Sequence, residues 1–168
     1  MFSRRLGIAM LGGALTGALV VTIAWPPQPR LLWNVSASAP IGLWYVEPSA
    51  GLRRGDMVAA RLAQPWRNFA ARRRYLPANV PLLKRIAAGP GDHICASRGM
   101  LFVNGRALGV RRHFDGAGRP MPRWRGCKQL GPRDYFLVMD APFSFDGRYF
   151  GPTLRRDIIG KATPLWLR

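Results

Sequence analysis

Two hydrophobic regimes divide the chain. Residues 6–25 carry no charge, and such a run in helical form extends roughly 30 Å, the thickness of a bilayer core. Arg4 and Arg5 precede it, which favours a cytoplasmic N-terminus. Gly7, Gly12, Gly13 and Gly17 lie within it, as transmembrane helices tolerate, and Pro26, Pro27 and Pro29 stop the helix. The competing reading is a cleavable export signal, whose apolar core is normally roughly 7–15 residues and ends at a small-x-small site. Thr22-Ile23-Ala24 ahead of Trp25 makes a poor site of that kind, so length favours an uncleaved anchor. Either reading puts residues 30–168 outside the cytoplasm. The expected organisation is therefore 1–29 as N-terminus, anchor and Pro-rich exit, and 30–168 as one exported domain.

Beyond residue 30 the apolar runs become short and are punctuated by Gly and Pro. Strands are expected at 43–46, 56–62, 82–88, 101–103, 106–110, 134–140 and 158–166. Asn104-Gly105 between two of them is a strong hairpin signal. Residues 67–76 lack Gly and Pro and predict a short helix or excursion. Residues 111–131, rich in Gly, Pro and Arg, predict a long loop. Many short strands with Gly/Pro turns indicate a mainly β, antiparallel domain.

Charge and cysteine usage refine this picture. The chain has 168 residues, enough for one domain with a real core, and 26 basic against 8 acidic residues give a formal charge of +18. Such a balance suits an anionic partner such as a lipid surface. The Arg residues are scattered rather than striped and no nucleic-acid-binding motif accompanies them, so no specific nucleic acid is expected. Cys95 and Cys127 lie in the exported part and are compatible with one disulfide or with two buried thiols. Their spacing fits no zinc pattern, and neither a metal nor a cofactor is expected.

Only three Lys occur, and Lys84 interrupts the apolar run Pro81-Leu82-Leu83-Lys84-Arg85-Ile86-Ala87-Ala88. Strand alternation puts Leu82, Lys84 and Ile86 on one face and Arg85 on the other. A lysine held among apolar groups loses hydration in its charged form, so its pKa falls and its amine can accept a proton from a hydroxyl. The bland alternative is a packed stem whose ammonium snorkels to water. Ser36-Ala37-Ser38-Ala39-Pro40, taken alone, is a polar linker. Ser144-Phe145-Asp146-Gly147-Arg148 reads either as a structural Asp–Arg pair or as groups that orient an amine. His93, His113 and Asp115 invite a Ser-His-Asp triad, but no Gly-x-Ser-x-Gly elbow accompanies them.

These three clusters, in this order behind an anchor, resemble the type I signal peptidase family. Ser36-Ala37-Ser38 looks like its serine box. Lys84-Arg85 followed by Gly89-Pro90-Gly91-Asp92 looks like its lysine box, and residues 144–151 like its C-terminal box. Within the family, Asn34-Val35-Ser36-Ala37-Ser38-Ala39-Pro40-Ile41-Gly42-Leu43-Trp44-Tyr45, Tyr75-Leu76-Pro77 and Tyr149-Phe150-Gly151-Pro152 resemble the TraF-type conjugative transfer peptidases. The resemblance implies a signal-peptidase-like antiparallel β catalytic domain with one N-terminal transmembrane helix. It implies Ser38 as nucleophile and Lys84 as general base. Ser36 and the backbone N–H of Ser38 would bind the oxyanion, Ser144 and Asp146 would orient Lys84, and Arg148 would hold Asp146. The chain departs from the housekeeping branch at Ala39-Pro40 and at Gly147, where many relatives have a second Ser.

The resemblance further implies a single-pass protein of the cytoplasmic (inner) membrane whose catalytic domain faces the periplasm and rests on lipid. Its substrate is then an exported precursor with small side chains at the cleavage site, with maturation of a conjugative pilin, linear or cyclised, as the leading case. The alternatives are a general type I signal peptidase and, in another class, a non-catalytic assembly component of a secretion or conjugation system.

Overall fold

Each strand of the exported domain forms where a short apolar run finds an antiparallel neighbour. The computed structural model describes residues 2–24, 30–48 and 51–168, with the side chains of 2–6 and 9 excepted. The strands are β1 (Leu31–Asn34), β2 (Gly42–Glu47), β3 (Met57–Ala60), β4 (Leu82–Ala88), β5 (His93–Ser97), β6 (Met100–Val103), β7 (Arg106–Val110), β8 (Gly126–Gln129), β9 (Asp134–Val138), β10 (Thr153–Leu154) and β11 (Ile158–Leu167). Helices are α1 (Phe2–Ala24), α2 (Trp66–Arg72) and α3 (Gly147–Phe150). One sheet has the order β1-β2-β11-β3-β4-β9-β10 and the other β7-β6-β5-β8. Every described pairing is antiparallel. The mainly β, antiparallel expectation therefore matches the fold.

Strand β4 is the axis of the domain. It lies between β3 and β9, with Lys84 opposite Val58 and Arg85 opposite Val138. Leu82 and Ile86 join Val58, Leu137 and Ile158 in one core cluster, whereas Leu83 joins Leu32, Ala39, Trp44, Val46 and Met139 in another. A third cluster, around Ile94, Leu101, Val103, Phe136 and Val138, welds the small sheet to the large one. Burying each such aliphatic side chain stabilises the fold by about 1.5–3 kcal/mol. β4 is thus packed on both faces, and only Arg85 of its residues is exposed.

Several expectations shift in detail. The strand expected over 134–140 ends at Val138, because the Met139 N–H donates to the Asp146 carboxylate instead of to a ladder. The helix expected over 67–76 ends at Arg72, and Arg74 takes a left-handed φ of 58° that no Gly or Asn announces. The loop expected over 111–131 contains β8, whose Cys127 sits opposite Cys95 of β5 and is joined to it by a disulfide. Strands β1, β5 and β10 and helix α3 were not expected either.

Helix α1 covers most of the apolar N-terminal run, and its described side chains are all exposed. Among the described residues no helix is long and apolar enough to cross a membrane. The side chains of Arg4 and Arg5 and the stop at Pro26, Pro27 and Pro29 lie outside the described residues.

Candidate active site

The serine loop links β1 to β2, whose first pair is Asn34 and Gly42. Gly42 is obligatory at this corner: its φ is 148°, and a Cβ there would lie 2.1 Å from the Trp166 carbonyl oxygen. Inside the loop, Ala39 is buried in the same apolar cluster as Leu83. The residue after Ser38 therefore packs with the residue before Lys84, which brings the loop over the middle of β4. Lys84 Nζ donates to Ser38 Oγ at 2.8 Å, and Ser36 Oγ lies 2.9 Å from Ser38 Oγ. The Ser38 N–H reaches Ser36 Oγ only at 3.3 Å, a long bond that leaves it open to a better acceptor.

Lys84 is 4% exposed. Burial lowers its pKa, the Asp146 carboxylate raises it and Arg148 lowers it again, leaving it at about 8 against an ordinary 10.5. About a tenth of the amine is therefore neutral at pH 7, and a growing share as pH rises towards 8. This combination, an uncharged amine touching a hydroxyl, is what nucleophile activation requires.

Behind Lys84 stand the residues of the third cluster. Asp146 is fully buried and caps α3. Its carboxylate accepts from Met139 N at 3.1 Å, Arg148 N at 3.1 Å, Arg148 Nε at 2.9 Å and Arg148 Nη2 at 2.8 Å. Arg148 also donates to the carbonyls of Met139 and Ala141. Burial lowers the Arg148 pKa, but its hydrogen bonds and attraction to Asp146 outweigh this and raise it. Such a buried pair holds only because each charge is matched. Gly147 sits between them with no room for a side chain, since a Cβ would lie 2.8 Å from the Leu137 carbonyl and from the Phe136 ring. Ser144 is buried and its hydroxyl has no partner among the described residues. Among these residues Lys84 Nζ bonds Ser38, while Asp146 and Arg148 reach it through their charge rather than a hydrogen bond.

A cleft of about 520 Å³ opens over Ser38 and Lys84, walled by Leu32, Tyr75, Leu82 and Phe145. A larger cleft of about 950 Å³ between the two sheets reaches neither Ser38 nor Lys84 and shares only Phe143 with the first. The smaller one holds the reactive groups, so size does not identify the site here.

Other candidates separate from it. The His93 N–H bonds Asn104, and His113 contacts Arg123 on the exposed loop. The Asp115 carboxylate accepts from the Tyr75 hydroxyl and from Arg119. Burial pushes its pKa up, but those bonds outweigh it and hold the carboxyl well below the usual range. Two features escaped the sequence reading. Asn34 bonds four backbone groups of the serine loop, and its signal was only its place at the head of the serine motif. The Tyr75–Asp115 bond, which ties the cleft wall to the long loop, bridges forty residues and left no local signal.

The model of the family described as signal peptidase, peptidase S26, matches residues 3–167. A probable conjugal transfer protein TraF of Sinorhizobium fredii is 33% identical, over 94% of this chain and 86% of its own length. A plasmid transfer protein TraF of Escherichia coli is 31% identical over 79% and 80%, and a conjugal transfer protein TraF of Agrobacterium fabrum 30% over 97% and 94%. Among solved structures, a signal peptidase I from Enterococcus faecalis superposes on 70% of the chain with a TM-score of 0.41 and 20% identity. With a family match spanning nearly the whole sequence and relatives aligned over most of their own length, the chain belongs to the signal peptidase S26 family, beside the TraF conjugal transfer proteins.

Proposed function

We propose that the chain is a membrane-anchored serine endopeptidase that cleaves exported precursors with a Ser38–Lys84 dyad. The observation that supports this most is the 2.8 Å contact between a buried, weakly basic lysine and a serine hydroxyl at the floor of a cleft. In this reading neutral Lys84 takes the Ser38 proton as Oγ attacks the scissile carbonyl. Ser36 Oγ–H and Ser38 N–H stabilise the oxyanion. Lys84 ammonium then protonates the leaving amine as the C–N bond breaks, leaving an acyl-Ser38 ester. Lys84 next takes a proton from water, whose oxygen attacks that ester, and returns it to Ser38 Oγ. An amine of the substrate in place of water would close a cyclic product. Asp146, held by Arg148, steadies the ammonium when it forms, and the unpartnered Ser144 hydroxyl is free to turn towards it.

The relatives are named for conjugal or plasmid transfer, and with the TraF-type resemblance of the motifs this favours a pilin precursor of a conjugation system as the substrate. Helix α1 is the anchor in this reading, its 23 residues extending roughly 34 Å. The organisation is then 1–29 as anchor and exit and 30–168 as a periplasmic catalytic domain of an inner-membrane protein. The disulfide suits an oxidising compartment. Exposed Trp33 and Trp166, stacked 5.5 Å apart, suit an interface with lipid. The test is processing of prepilin by purified Ser38→Ala and Lys84→Ala proteins of unchanged thermal stability or better. Loss of cleavage in both is expected, and near-normal cleavage by either would overturn the dyad.

A further inference from the structure

We propose that Asn34 is a positioning residue whose carboxamide sets Ser36 and Ser38 in register for attack and for oxyanion binding. The inference rests on the dyad reading above and adds to it a residue outside the three motif cores. Asn34 is 9% exposed and ends β1 just before the serine loop. Its Nδ2 donates to the carbonyls of Ser36 at 3.0 Å, Ala39 at 3.0 Å and Pro40 at 2.9 Å. Three acceptors share two hydrogens, so one bond is three-centred. Its Oδ1 accepts from the Ser36 N–H at 3.1 Å. One amide therefore grips Ser36 on both sides of its Cα and draws the carbonyls on either side of Ser38 inward. Only Pro40 among those carbonyls has a further side-chain donor, Trp44 Nε1 at 3.2 Å.

The consequence is geometric. With Ser36 and Ala39 fixed at their backbones, Ser36 Oγ stays 2.9 Å from Ser38 Oγ, and Ser38 Oγ stays under Lys84. The job needs a donor and an acceptor on one short side chain. Aspartate has the same shape but presents oxygen to three carbonyl oxygens. Alanine leaves the space to water, which can satisfy the carbonyls without fixing them.

The experiment compares full-length Asn34→Asp and Asn34→Ala with wild type on prepilin, each also in a Ser36→Ala background, with Ser38→Ala as control. A misplacement of about 1 Å at the reacting atoms lowers turnover on the order of 100-fold. We expect kcat of Asn34→Asp to fall by about that factor with KM within about threefold, Asn34→Ala to fall less, and the pH midpoint set by Lys84 to stay put. In the Ser36→Ala background the further loss should shrink to less than about tenfold, because both changes damage one unit. Four results overturn the proposal: Asn34→Asp within about threefold of wild-type kcat, Asp milder than Ala, losses that multiply independently of Ser36, or both variants losing their cooperative thermal transition. An active Ser38→Ala protein would instead sink the dyad reading itself.

Discussion

At the scale of single residues, Lys84 ties stability and chemistry together. Its folded pKa of about 8 lies below the ordinary 10.5. The unfolded chain therefore binds more protons between those values, and stability rises with pH across that window. Below pH 8 the buried ammonium destabilises the fold by about 3 kcal/mol relative to a neutral amine. Replacing the charge with a methionine of similar length removes this term and also the bond to Ser38. Lys84→Met should therefore raise stability at pH 7 by about 1–3 kcal/mol while abolishing cleavage. The gain should shrink as pH climbs from 8 to 10.5, which denaturant melts at several pH values would read. Turnover of the wild type should rise through a midpoint near pH 8 as the amine loses its proton. Gly147 gives a second test. A side chain at this position has no room beside the Leu137 carbonyl and the Phe136 ring, so Gly147→Ser should cost about 1–3 kcal/mol of stability.

At the scale of elements, what was legible depended on whether a segment carried its own pattern. β4 and β7 were bounded correctly from their apolar runs and turn signals. β8 was invisible, because all four of its residues are exposed and nothing alternates; its place comes from β5 and from the Cys95–Cys127 bond. Ser38 and Lys84, the partners of the proposed dyad, are both named by the resemblance of the sequence motifs, but their contact depends on Ala39 and Leu83 packing in one cluster, a long-range event. Asp146 and Arg148 are named in the same way, yet their action on Lys84 through charge, without a hydrogen bond, is visible only in the fold. Two predictions belong here. Reducing the disulfide, which closes a loop of 32 residues, should lower stability by about 3–4 kcal/mol while leaving in place the Ser38–Lys84 contact, made by β4 of the other sheet and the loop between its β1 and β2. Asp115→Ala should remove the carboxylate acceptor of Tyr75, leaving its hydroxyl only the longer contacts with Arg73 and Met121, and so loosen one cleft wall, raising KM for prepilin by about three- to tenfold with a smaller change in kcat.

At the scale of the whole molecule, the basic charge and the aromatic edge act together. In the proposed arrangement the chain's excess of basic residues, all but Arg4 and Arg5 of which lie from residue 30 onward, draws the domain towards an anionic surface, an attraction that salt screens. Trp33, Trp166, Leu165 and Val35 are exposed on or beside β1 and β11, next to the serine loop. In the proposed arrangement this edge meets the bilayer where a precursor emerges, and the cleft opens beside it. The buried lysine against a serine favours the peptidase reading over a passive scaffold, which has no use for that pair.

The most direct test of that reading is covalent. Wild-type protein turning over prepilin is quenched in acid, digested and weighed by mass spectrometry. A transient acyl adduct is expected on the peptide containing Ser38, absent in Lys84→Ala. Adduct on another residue, or full turnover by Ser38→Ala, would contradict it.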